Sequence, residues 1–164
     1  RFIKLAVFTL WVIGLTGCGN HENHGAGHQQ GVVISDSYVR VPPRADTVAA
    51  GYFTVSNHGA ASAELLSVTS DGFGDVQMHE TVMTDGMMQM NQLSKVEIAA
   101  GASVEFKPGG HHLMLMGAVK PITADQQYSL LFEVTRGEKV ERQVVVFQAL
   151  PFGESPVDHS GMKH

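Results

Sequence analysis

Cysteine is nearly absent from this sequence of 164 residues: a single one, Cys18, lies close to the N-terminus. One thiol builds no disulfide framework. A blue-copper centre needs a cysteine ligand beside two histidines, and none remains once Cys18 is assigned elsewhere. Long apolar runs are scarce as well. Leu5 to Leu15 follows the basic residues Arg1 and Lys4, falls short of a membrane span and has the length of the apolar region of a signal peptide. Positive charge is in the minority, with 11 Lys and Arg against 16 Asp and Glu, a formal net charge of −5 that becomes −7 when Arg1 and Lys4 leave with the leader. Such an acidic domain is unsuited to a phosphate backbone, so no nucleic-acid partner is expected. Outside the leader there is no helix-period segment of useful length, and there is no internal repeat.

What is present begins with Leu15-Thr16-Gly17-Cys18, which resembles a bacterial lipobox. Residues 1–17 therefore read as a lipoprotein signal peptide and Cys18 as the lipidated first residue of the mature chain, with an ordinary cleaved leader as the competing reading. The chain opens on Arg1 rather than Met, and a residue or more is expected ahead of it. Gly19, where the usual sorting rule would read aspartate as retention, implies release to the outer membrane of a Gram-negative bacterium. The expected location is the periplasm, with a lipid holding the protein to the membrane. Residues 18–31 are polar, glycine-rich and carry His21, His24 and His28, as a flexible tether would. Residues 32–150 form the folded domain, and 151–164 a His/Met-containing tail.

Within that domain, short apolar or alternating runs follow one another: Val32 to Arg40, Val48 to Ser56, Ala63 to Thr69, Val76 to Met83, Met87 to Ile98, Ser103 to Phe106, His112 to Met116, Tyr128 to Thr135 and Val140 to Gln148. Most are rich in Val, Phe, Tyr, Leu and Thr. They are separated by turn signals such as Asn57-His58-Gly59, Asp71-Gly72, Asp85-Gly86, Pro108-Gly109-Gly110 and Arg136-Gly137. The spacing predicts an all-β domain, an antiparallel sandwich or barrel.

On this framework sit four soft-metal ligands, His79-x10-Met90-x21-His112-x-Met114. Thioether sulfur is a poor ligand for zinc, magnesium or calcium, whereas Cu(I) takes it readily beside imidazole. If Asp85-Gly86 is a two-residue hairpin turn, Met90 stands opposite Thr81, with His79 two residues further along the same face. A loop one residue longer would turn Met90 to the other face. In a strand, His112 and Met114 project to one side and Leu113 and Leu115 to the other. Taken singly, each of the four has a plainer explanation as core filler or satisfied histidine. Met83, Met88 and Met116 share the ligand-bearing faces of their strands but read as gap-filling side chains. Met78 and Met87 read as packing or turn-flanking residues, His58 lies in a turn, and His111 points away from His112.

The four-ligand spacing resembles the signature of the periplasmic PCuAC copper chaperones. Its flanks do too: Ala50-Gly51-Tyr52-Phe53 through Asn57, Gly86-Met87-Met88-Gln89-Met90 and Pro108-Gly109-Gly110-His111-His112-Leu113-Met114-Leu115, within roughly Val32 to Gln148. Tyr38 stands where that family often has tryptophan, and Ala63-Glu64 where it often has an aspartate. The resemblance implies a cupredoxin-like Greek-key β-sandwich. It implies a solvent-near Cu(I) site on His79, Met90, His112 and Met114, and delivery by ligand exchange to the CuA site of cytochrome c oxidase subunit II or another copper acceptor. A copper buffer or resistance protein would use the same ligands without a dedicated partner. No nucleophile–base arrangement is evident, so the chain is not expected to be an enzyme. His21, His24, His28, His159, Met162 and His164 are auxiliary metal candidates, where the tails take Cu(II) or extend the Cu(I) site; the plain alternative is a solubilising tail. A monomer or a weak metal-bridged dimer is expected.

Overall fold

The computed structural model describes residues 31–44, 48–154 and 156. The leader, Cys18, the tether histidines His21, His24 and His28, and the tail residues His159, Met162 and His164 lie outside the described residues. The described chain is all β. Ten strands follow in order: β1 (Val32–Arg40), β2 (Ala49–Asn57), β3 (Ala63–Thr69), β4 (Phe73–Thr84), β5 (Met87–Leu93), β6 (Val96–Ile98), β7 (Ser103–Phe106), β8 (His111–Ala118), β9 (Gln127–Arg136) and β10 (Lys139–Leu150). They hydrogen-bond in the order β5-β4-β8-β7-β2-β1-β10-β9-β3-β6, with an additional β8–β2 pairing.

Two features differ from the sequence-based expectation. Met87 to Ile98 is not one strand: the chain breaks at Ser94-Lys95, so that β5 pairs with β4 and β6 with β3, at opposite ends of the sheet. Burial explains the break, because Val96 and Ile98 enter the core while β5 stays largely in solvent. Nor is the sheet wholly antiparallel, since β1 runs parallel to β10 and β7 parallel to β8.

The strands alternate as half-buried strands must, and their inward residues from both halves of the sheet meet in one core. Phe53 of β2 is its centre, stacked on Phe106 of β7 at 4.1 Å and meeting Phe132 of β9 edge-on at 5.1 Å. Phe147 of β10 completes the cluster, 5.9 Å from Phe132. Asn57, a turn residue in sequence, is buried and fully used. Its Nδ2 donates to the carbonyls of Ala61 (2.8 Å) and Ile98 (3.0 Å), and its Oδ1 accepts from Gly59 N at 2.9 Å. A buried amide so paired avoids the desolvation cost and ties the end of β2 to β6.

Candidate metal centre

The centre is built on β4, flanked by β5 on one side and β8 on the other. The β4–β5 turn is the two-residue Asp85-Gly86 connection, with φ of 52° and 75° at its central residues, the left-handed pair that suits the strand twist. It sets Thr84 opposite Met87 and Thr81 opposite Met90, the register predicted from the sequence. On the other flank His79 stands opposite His112 and Gln77 opposite Met114. Cross-strand partners share a face, so His79, Met90, His112 and Met114 all project from the same side of three adjacent strands. Leu113 and Leu115, between and beyond the β8 ligands, are buried on the other side.

The approach to β8 is a tight turn over Lys107-Pro108-Gly109-Gly110, closed by Gly110 N donating to Lys107 O at 3.0 Å. Proline second and a glycine at φ 79° third is the pattern of a type II turn. The turn serves the site directly. The carbonyl of Gly110 accepts from Thr81 N at 3.2 Å and lies 3.0 Å from His112 Nδ1. A carbonyl only accepts, so Nδ1 carries the proton and His112 Nε2 keeps its lone pair for a metal.

His79 is set the opposite way round. Gln77 Nε2 donates to Asp75 Oδ2 at 2.7 Å, which turns Gln77 Oε1 toward His79 Nε2 at 3.0 Å. Nε2–H is therefore the donor, and the lone pair sits on Nδ1. That atom is buried and has no hydrogen-bond partner among the described residues. An orphaned buried acceptor is costly unless something coordinates it. The His79 imidazole is held below its ordinary value, first by burial and then by the neighbouring His112, which keeps it neutral and able to ligate. The two rings lie 5.9 Å apart between centroids.

Met90, His112 and Met114 line one cavity of about 280 Å³ together with Thr81, Pro108 and Tyr52. Tyr52 packs on Tyr38 at 5.1 Å under the Arg40 guanidinium, 5.2 Å from its ring. Burial pushes its phenol up, outweighing the lowering by Arg40, so this wall stays neutral. Met90 is 61% exposed and His112 buried, a gradient from solvent to interior across the donor set. Among the described residues, no group of three or more His, Cys, Asp or Glu is placed to hold a metal. Three of the four donors, Met90, His112 and Met114, line this cavity, and His79 stands beside His112 on the same face outside its lining; two imidazoles and two thioethers make a neutral soft set that fits Cu(I) better than zinc or a hard cation.

His111 lies on the other face, opposite Glu80 with 4.0 Å between His111 Nε2 and Glu80 Oε2, and its ring is 5.5 Å from Phe106. Met78 is buried as a packing residue, and Met87 flanks the turn in solvent. Met83 and Met88 do not fill gaps: each is 68% exposed. Sequence reasoning missed Gln77, Asp75 and the Gly110 carbonyl. The first two were findable, since i−2 and i−4 from a strand ligand lie on its own face.

Comparison with known proteins follows the same lines. Residues 32–146 match the family described as "Putative lipoprotein LpqE-like". A protein of Leifsonia xyli subsp. xyli named "Putative lipoprotein Lxx21020" is 33% identical over 142 residues, covering 84% of this chain and 84% of that one. An uncharacterized protein of Rickettsia prowazekii is 31% identical over 85 residues, covering 49% of this chain and 45% of its own. Among solved structures, the copper-bound PCuAC domain from PmoF2 aligns with a TM-score of 0.59 at 20% identity, over 72% of this chain and 91% of that domain. The solution structure of CuI-DR1885 from Deinococcus radiodurans aligns with a TM-score of 0.57 at 19% identity, over 80% of this chain and 85% of that one. The fold is thus the cupredoxin-like β-fold of PCuAC domains, as the ligand spacing and its flanks imply.

Proposed function

The chain belongs to the LpqE-like family, and on that premise we propose that it is a copper carrier of the bacterial envelope, holding Cu(I) on His79, Met90, His112 and Met114 without itself being an enzyme. One observation carries the reading: two histidines with opposite, fixed tautomers leave their lone pairs free beside two thioethers on one sheet face. The names of the structural neighbours, one copper-bound and one CuI-bound, support it. Four neutral ligands leave the ion its positive charge, and no thiolate locks it in. Thioethers do not titrate and form no disulfides in an oxidising compartment. A site with one solvent-facing thioether, Met90, suits release by ligand exchange.

The lipoprotein names of the family and of the Leifsonia relative support a lipid anchor at Cys18 and an envelope location, which we place in the periplasm at the outer membrane. The acceptor we propose is the CuA site of cytochrome c oxidase subunit II. The test is a competitive Cu(I) titration of residues 18–164 against a chromophoric chelator, followed by mixing with the apo soluble domain of that subunit. Tight one-to-one binding and appearance of the CuA spectrum support delivery. Tight binding without transfer assigns the protein to copper buffering, and weak binding indifferent to the four ligands overturns the carrier reading.

A further inference from the structure

Four of the chain's eight methionines fall within residues 83–90, around the β4–β5 turn. Met83 stands directly opposite Met88, and Thr81 directly opposite Met90. Strand alternation therefore puts Met83, Met88 and Met90 on one face of the hairpin, the same face that carries His79. Opposed side chains in such a pair start about 5 Å apart at Cβ, and Met88 and Met90 are about 7 Å apart along the strand. Each has an unbranched, flexible stem ending in sulfur, so three thioethers can converge on one ion.

Packing does not explain them. At 68%, 68% and 61% exposure they cover no core, and keeping three large apolar side chains in water gains nothing from the hydrophobic effect. Their sulfur is the remaining chemical asset. With neither thiolate nor imidazole, the set is selective for a soft monovalent ion and weak enough to exchange it.

We propose that Met83, Met88 and Met90 form a second, weaker Cu(I) station on the hairpin arm, which hands the ion to the four-ligand centre. The inference rests on the carrier reading above. Met90 belongs to both sets. In the transfer the Cu–S bonds to Met83 and Met88 break and bonds to His79 Nδ1, His112 Nε2 and Met114 sulfur form, while Met90 stays bound. Copper remains Cu(I) throughout, no proton moves because both lone pairs are already free, and Met90 bridges the two positions so that the ion is never released to water.

The experiment is anaerobic Cu(I) titration of residues 18–164 against chromophoric chelators of graded strength. It compares wild type, Met83→Leu/Met88→Leu, which keeps the apolar volume, and His79→Ala/His112→Ala, with the methionine methyl signals followed by NMR. Wild type should take two equivalents: with Met90 engaged at the four-ligand centre the second rests on Met83 and Met88 alone and should be at least about tenfold weaker, having lost both imidazoles and one thioether. The Met83→Leu/Met88→Leu variant should lose only the second equivalent, and the histidine variant should keep one whose binding moves the Met83 and Met88 methyls. Wild type or the histidine variant binding copper with the Met83 and Met88 methyls unmoved overturns the station. Failure of the carrier reading would show separately, as a first equivalent insensitive to His79→Ala/His112→Ala.

Discussion

His79 and His112 face each other across the β4–β8 ladder, yet each is hydrogen-bonded through a different ring nitrogen, Nε2 to Gln77 in the first and Nδ1 to Gly110 in the second. The mirrored tautomers leave one unprotonated nitrogen on each ring, which is what the proposed ligand set requires.

Removing a ligand should therefore weaken binding without unfolding the domain. His79→Ala and Met114→Ala are expected to lower Cu(I) affinity by more than roughly a hundredfold, above the usual effect of losing an outer partner. The melting temperature of the copper-free protein should change little, because neither side chain belongs to the core. Chelator competition and thermal melts on the same samples check both halves; unchanged affinity in both variants would sink the assignment.

Gln77 acts one step back. Gln77→Leu removes the acceptor that holds the His79 proton on Nε2, and is expected to cost about 10–100-fold in Cu(I) affinity. Gln77→Glu keeps an acceptor but loses the donor to Asp75 and sets two carboxylates against each other, so it should recover only part of it. Nitrogen chemical shifts of His79 in the copper-free protein distinguish the tautomers: a mixed population in Gln77→Leu and a single one in wild type is the expected pattern.

Acid should weaken both the site and the fold. The imidazole of His79 is held below its ordinary value by burial and by His112, so it must be neutral to bind metal and is neutral over most of the physiological range. Its unfolded form takes up a proton first as pH falls through the ordinary value of 6.5. The unfolded state then binds more protons, and this group's contribution to stability is lost as pH falls through that value toward the depressed folded one. Cu(I) affinity should be flat above that window and decline below it. Titrations and denaturant melts between about pH 5 and 8 test this, and a pH-independent affinity would remove His79 from the ligand set.

The core beneath the site should behave differently from the site itself. Leu113, between His112 and Met114 on β8, is wholly buried. Leu113→Ala is expected to cost about 2–5 kcal/mol of stability through lost burial and a residual cavity. Copper-loaded protein should partly recover, since a ligand bound only by the native state stabilises it. Denaturant unfolding with and without Cu(I) measures both.

Much of this arrangement is legible in the sequence, and the rest fails for identifiable reasons. The Asp85-Gly86 turn fixes the hairpin register, because only a short left-handed turn suits that dipeptide, and Met90 follows. The alternation His112-Leu113-Met114-Leu115 separates ligand from core without any tertiary knowledge. Pairing between distant strands is another matter. Nothing local says that β8 lies beside β4 and aligns His112 with His79, or that β1 runs parallel to β10. Met87 to Ile98 misled as a single run because its two halves look equally strand-like, while their separation depends on which residues a distant core accepts. Met83 and Met88 misled because methionine usually fills gaps, and at the solvent-exposed end of the β4–β5 hairpin there is no gap to fill.

The two histidines are unequal targets for evolution. The tautomer of His112 is held by the Gly110 carbonyl, a main-chain atom that no substitution of a side chain deletes. That of His79 is held by Gln77 and, behind it, Asp75, both of which a single nucleotide change can replace. One half of the centre is thus written into the path of the backbone and the other into exchangeable side chains. A lineage can retune the His79 tautomer through residues 75 and 77 while both imidazoles and the fold stay as they are.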